Sequence, residues 1–182
     1  MYGVVLHLDS DAEQKIVKLW KELDGLEISH YAEEIPDRRP HITLADYSEL
    51  DEKTFTEMFR AFYSSKTKFT LTLGVLGTFL QSGTLFLAPT PTLELIELHA
   101  DHHDHFKEYT GFSNSLYAPG MWIPHCTIAN RLNGQKLAEG LQYCTGKLQV
   151  LTAEVVEISI IKLLYKDNQC VSAPAIFSQK LL

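Results

Sequence analysis

The stretch RRPHITLADY, residues 38–47, and the stretch IPHCTIANRL, residues 123–132, carry one phrase twice: Pro-His-x-Thr, then an apolar residue and Ala. The two histidines, His41 and His125, stand 84 residues apart (125 − 41 = 84) in a chain of 182 residues. An offset that large inside so short a chain implies a duplicated architecture, and the same offset aligns more than the two motifs. The apolar run YGVVLHLD at 2–9 falls on GTLFLAP at 83–89. The amphipathic stretch 10–24 carries Ile16, Leu19, Trp20 and Leu23 at helical spacing, with Ser10 and Glu13 as a capping-box pair, and it falls on a helical stretch over 94–108. Thr90 is placed to cap that second helix, with Pro91 in its first turn.

Each motif reads as a strand. Helices are expected over 51–64 and 133–146, and alternating strands over 68–76 and 153–165. The order strand, helix, strand, helix, strand is thus written twice, over about 1–80 and 81–165. The connection falls near Leu76–Ser82, and an additional strand is expected at 175–182. The expected fold is α+β and bilobal: a single domain of two βαβαβ halves, with mainly antiparallel sheets around a central cleft and helices outside.

A strand alternates its side chains between faces. His41 and Thr43 therefore project together, as do His125 and Thr127, while Ile42, Leu44, Cys126 and Ile128 point into packing. Two histidines across a cleft suit in-line displacement at phosphorus. A neutral imidazole takes a proton from water and an imidazolium gives one to the leaving oxygen, with the unperturbed pKa near 6.5 serving both roles. Threonine hydroxyls can donate to the non-bridging oxygens. The scheme needs no metal or cofactor.

The pair HITL at 41–44 and HCTI at 125–128, each preceded by Pro, resembles the 2H phosphoesterase superfamily, which includes the bacterial 2′-5′ RNA ligase-like proteins and cyclic phosphodiesterases. The resemblance implies a bilobal fold, activity on cyclic or 2′,5′-linked phosphodiesters, and His41, Thr43, His125 and Thr127 as catalytic residues. The chain departs from the RNA ligase type at Asn130, where such relatives often carry arginine. In a regular strand Arg131 shares the face of His125 and Thr127, and Tyr47 is its counterpart in the first half. Arg131, Tyr47, Tyr117, Trp122 and Arg39 are therefore the candidates for substrate contact. Tyr117 and Trp122, in the loop before the second motif, either stack on a base or anchor the loop. Arg38 and Arg39 either meet phosphate or balance Glu33, Glu34 and Asp37.

The formal charge of −7 argues against long duplex nucleic acid as a partner and for a small nucleotide or RNA-end phosphodiester. Three cysteines without CxxC spacing, no basic leader and no long apolar run predict a cytoplasmic, membrane-free protein, read as a monomer. The histidine-rich HADHHDH, 99–105, spaces His99 and His103 like zinc ligands, but a solvated polar helix face is the favoured reading. A non-catalytic nucleotide- or RNA-end-binding module is the alternative from another class.

Overall fold

In a computed structural model, the structure describes residues 1–112 and 115–182. The strands are β1 (Tyr2–Leu8), β2 (His41–Tyr47), β3 (Phe69–Phe79), β4 (Thr84–Pro89), β5 (Cys126–Ala129), β6 (Leu151–Lys162), β7 (Leu164–Lys166), β8 (Gln169–Ser172) and β9 (Ala175–Lys180). The helices are α1 (Ser10–Gly25), α2 (Glu52–Tyr63), α3 (Leu93–His105) and α4 (Gly134–Lys147). The first ten of these elements run β1α1β2α2β3, then β4α3β5α4β6. The fold is α+β, and every strand pairing is antiparallel.

The sheet order β1-β2-β5-β4-β3-β6 closes on itself through β1–β6, and β9 lies at the free edge of β6. An approximate two-fold relation is visible in the order. β1–β2 corresponds to β4–β5, and the third strand of each half is given to the other: β3 pairs with β4, and β6 pairs with β1. The exchange buries β1 along its whole length and draws residues of both halves into one core, from Leu6 and Ile42 to Ile128 and Ile160. The halves meet a second time where β2 touches β5, at the single pairing Ile42 with Cys126. Two strands joined at one rung splay apart on either side, which opens a cleft at the two motifs.

Local chemistry starts and stops the elements, with two differences from the sequence reading. Asp9, not Ser10, caps α1, accepting from the backbone N–H of Asp11 and Ala12. Its other oxygen accepts from Glu154 N–H, so one carboxylate both starts α1 and ties it to β6. Thr92, not Thr90, caps α3; Thr90 instead donates its N–H to Thr72 of β3. The halves join through the tight β3–β4 hairpin. Gly83 at its end has φ 61, and a side chain there would run into the backbone of Leu132. The β7–β8 hairpin has no counterpart in the sequence reading. Its turn residues Asp167 and Asn168 have φ of 50 and 62, the signature of a primed turn.

The strand alternation also breaks, at equivalent places in the two halves. β1 residues Val4 and Val5 face Ala45 and Thr43, so Leu44 is an extra residue on β2. β4 residues Leu85 and Phe86 face Ala129 and Thr127, so Ile128 is an extra residue on β5. Leu44 and Ile128 are themselves 84 residues apart (128 − 44 = 84). The apolar residue after each motif threonine is thus a β-bulge, which turns the strand sharply and ends the alternation there.

Candidate active site

The bulges leave the first three motif residues regular. Ile42 and Cys126 are paired and buried, whereas His41, Thr43, His125 and Thr127 are all partly exposed. Extending that antiparallel register by one residue sets His41 opposite Thr127 and Thr43 opposite His125. The four polar residues form the corners of a quadrilateral on one face, with the histidines on a diagonal. In a regular ladder diagonal neighbours lie about 7–8 Å apart, and the splay of β2 from β5 beyond their one rung widens this into space for a phosphate between the two imidazoles.

Both imidazoles are fixed in the same way. Nδ1 of His41 donates to the carbonyl of Arg39 at 2.7 Å, and Nδ1 of His125 to the carbonyl of Ile123 at 2.8 Å. The acceptor in each case is two residues back, across the motif proline. A residue before proline is held extended, so Pro40 and Pro124 set the direction of those carbonyls. With the proton on Nδ1, each Nε2 is the atom left to take or give a proton at the substrate.

The threonines are gripped from the opposite half. The Trp20 indole of α1 donates to the Thr127 carbonyl at 3.2 Å, and the Trp122 indole donates to the Thr43 carbonyl at 2.9 Å. Tyr31 and Tyr117 repeat the crossing with side chains. Burial raises the pKa of both phenols, and hydrogen bonding to Thr127 lowers that of Tyr31 as hydrogen bonding to Thr43 lowers that of Tyr117. Each half therefore holds the other half's motif strand. Neither tryptophan lies at the repeat offset, and Tyr117 follows Tyr31 by 86 residues (117 − 31 = 86), so the motif spacing does not reveal these cross-contacts.

The surroundings of the two histidines differ. His7 lies directly across β1 from His41 and meets it edge-on, with ring centroids 6.5 Å apart. Arg38 and Arg39 also act on His41. Burial lowers its pKa, the Arg39 carbonyl pulls it back up, and the positive charges of Arg38, His125 and Arg39 lower it further. His125 instead sits among aromatics, with centroids 4.9 Å from Phe79 and 5.2 Å from Phe86. Gly77 makes room for that wall, because a Cβ there would collide with the Phe86 ring. Burial lowers the pKa of His125 as well.

Several sequence candidates lie elsewhere than expected. Tyr47 is buried in the core, its hydroxyl bound to His102 Nε2 at 2.8 Å, because the Leu44 bulge turns it off the His41 face. Arg131 is exposed, with φ 57, beyond the end of β5 and past the second bulge, so it does not continue the face of His125. Arg39 is held by Glu13 and Glu157 at 2.9 and 2.7 Å, and it orients His41 through its backbone. Trp122 is a loop anchor: its ring stacks on His99 at 4.0 Å with 1° between the planes. Tyr117 remains beside Thr43 at the cleft.

The HADHHDH segment is a solvated face only in part: Ala100, Asp101, Asp104 and His105 are exposed, but the remaining histidines turn inward. His99 and His102 are buried, and His103 is partly so. His99 Nε2 donates to the Tyr117 carbonyl at 2.8 Å, and His102 lies between the hydroxyls of Tyr47 and Tyr63, each at 2.8 Å. These residues bind α3 to the Tyr117 loop, to α2 and to β2, which carries Thr43. Among the described residues no group of three or more His, Cys, Asp or Glu is placed to hold a metal ion. Cys126 is fully buried, and burial pushes its thiol up to about 12, which leaves it inert. No helix among the described residues is long and apolar enough to cross a membrane.

The paired His-x-Thr motifs thus lie at the seam of a closed antiparallel ring of exchanged strands. The sequence model of the 2′-5′ RNA ligase superfamily matches residues 15–167, and the chain belongs to that superfamily. Its fold is that of solved relatives. E. coli LigT in apo form superposes with a TM-score of 0.67 at 16% identity, covering 99% of this chain and 96% of LigT. The protein TT0787 of Thermus thermophilus superposes with 0.67 at 15% identity, covering 99% and 97%. E. coli LigT complexed with 3′-AMP gives 0.63 at 16% identity, covering 99% and 96%. The sequence aligns closely with no protein of curated function.

Proposed function

We propose that the protein is a metal-independent phosphodiesterase that opens a cyclic, or cleaves a 2′,5′-linked, phosphodiester of a nucleotide or RNA end. The observation that carries this reading is the matched pair of imidazoles, each with Nδ1 tied to a carbonyl and Nε2 left for the substrate. For a 2′,3′-cyclic phosphate, water attacks phosphorus from one side and its proton passes to the neutral Nε2. The imidazolium opposite gives its Nε2 proton to the departing ribose oxygen, and a phosphomonoester results. The Thr43 and Thr127 hydroxyls donate to the non-bridging oxygens, where negative charge builds. Water and the leaving group lie on opposite sides of phosphorus, as the diagonal placement of the histidines requires. A relative crystallised with 3′-AMP supports a nucleotide of this size as the occupant of the cleft.

Phosphorus NMR of the purified protein with a panel of nucleoside 2′,3′-cyclic phosphates and 2′,5′-linked dinucleotides tests the reading. Conversion of at least one of them to new phosphate species, undiminished in EDTA, is expected. A protein that binds these compounds and returns them all unchanged is the binding module instead. Activity lost in EDTA and restored by Zn²⁺ or Mn²⁺ would make the histidines metal ligands.

A further inference from the structure

The Thr43 and Thr127 hydroxyls are neutral, yet the group between them carries a full negative charge that grows as phosphorus is attacked. A cation beside that charge is the usual means of stabilising it, and arginine suits the task through its planar fork of donors. Asn130 stands where a motif arginine would supply it. Of the arginines near the motifs, Arg39 is spent on Glu13 and Glu157, and Arg131 is turned out to solvent.

We propose that Arg38 is the residue that binds the substrate phosphate, an assignment that rests on the phosphodiesterase reading above. The Arg38 side chain is only 9% exposed, and its one ion pair is a loose contact of Nη2 with Glu34 at 3.6 Å. Its Nη1 is buried and has no hydrogen-bond partner among the described residues. A buried guanidinium donor without an acceptor is costly, and an anionic oxygen relieves that cost.

The placement fits the cleft. The guanidinium carbon sits 3.6 Å above the Tyr31 ring, a stack that fixes the plane of the donors. Tyr31 in turn packs edge-on against Trp20, whose indole donates to the Thr127 carbonyl, and the charge of Arg38 is felt at both Tyr31 and His41. His41 and Thr127 face each other across the β2–β5 rung, so Arg38 borders the position where their common ligand sits. The sequence neighbours Arg38 and Arg39 thus divide two tasks: Arg39 sets the orientation of His41, and Arg38 meets the phosphate.

Two readouts test the assignment, one of them independent of turnover. Titration of inorganic phosphate against the imidazole NMR signals of His41 and His125 reports binding alone. Arg38→Met keeps the stem that packs on Tyr31 and removes the donors. It is expected to weaken phosphate about tenfold or more and to lower kcat/KM on a 2′,3′-cyclic nucleotide by about 10²-fold, with partial recovery on adding millimolar guanidinium. Arg38→Lys should fall between Arg38→Met and the parent, and Arg131→Ala should stay within about twofold of the parent in both assays. Unchanged phosphate affinity in Arg38→Met, with an unchanged melting temperature, overturns the assignment. A parent protein that binds phosphate through Arg38 but turns over no cyclic or 2′,5′-linked phosphodiester refutes the phosphodiesterase reading and leaves Arg38 as an anion-binding residue. Normal turnover in Arg38→Met does the reverse.

Discussion

Mild acid should strongly destabilise this protein, because three of its histidines are buried in the neutral form. Burial holds His7 down to about 3, with Arg39 and His41 adding repulsion. Burial also holds His99 down to about 4 and pushes His102 well below its ordinary value. A folded-state pKa below the unfolded value of about 6.5 means that only the unfolded chain takes up the proton between the two values. The stabilisation is therefore complete above pH 6.5 and is lost as pH falls toward the folded pKa. At pH 5 the linkage gives about 2 kcal/mol per histidine, almost regardless of how far below 5 the folded value lies. Three such groups remove about 6 kcal/mol, against a typical total of about 5–15 kcal/mol. His41 and His125, also lowered, act in the same direction, while Glu13, raised by burial, acts against them nearer pH 5. Urea denaturation at pH 7.5, 6 and 5 should show the midpoint falling steeply with an unchanged slope. His102→Phe should cost about 2–4 kcal/mol at pH 7.5, because the buried hydroxyls of Tyr47 and Tyr63 lose their common partner. It should also flatten the pH dependence by roughly a third of that linkage total. Stability that is level or rises from pH 7.5 to pH 5 would refute the neutral, buried assignment of these histidines.

The same acid range matters for catalysis. With both cleft histidines lowered, kcat/KM should be bell-shaped with its optimum on the acid side of pH 6.5, its limbs belonging to the coupled pair; an optimum at pH 8, measured where the protein is folded, would contradict this. His41→Ala and His125→Ala should each lower kcat/KM by about 10²-fold or more, and the double variant by less than the product, in steady-state assays on one substrate. Trp20→Phe and Trp122→Phe should each cost about 0.5–1.5 kcal/mol in melting experiments, since each removes one hydrogen bond to a threonine carbonyl. Gly77→Ala should displace the Phe86 ring and shift the His125 imidazole signals, with those of His41 little changed.

Much of the fold was legible from local pattern. The spacing of Ile16, Leu19, Trp20 and Leu23 is a helix's apolar face, and all four are buried. The alternation of His41, Ile42 and Thr43 is a strand's two faces, and the interval of 84 residues announces two copies. The same alternation misled beyond Thr43 and Thr127. A bulge carries no strong composition of its own, so Leu44 and Ile128 read as ordinary strand residues. The projection of Tyr47 and Arg131 then failed together. The histidines of 99–105 read as a polar surface because hydrophobicity scales treat imidazole as polar. Tyr47, Tyr63 and Trp122 make the interior there receptive to a neutral ring.

The sequence by itself determined the ten elements of the two halves, their order and the shared face of each motif's histidine and threonine, because helix and strand periods are properties of a few consecutive residues. Only the tertiary structure decided that β3 and β6 change places, that Trp20 and Trp122 each hold the other half's threonine, and that Arg38 rather than Arg39 or Arg131 keeps an unpaired donor beside His41. These outcomes depend on which distant groups share a low-dielectric space, and neighbours along the chain do not encode who the neighbours across it will be.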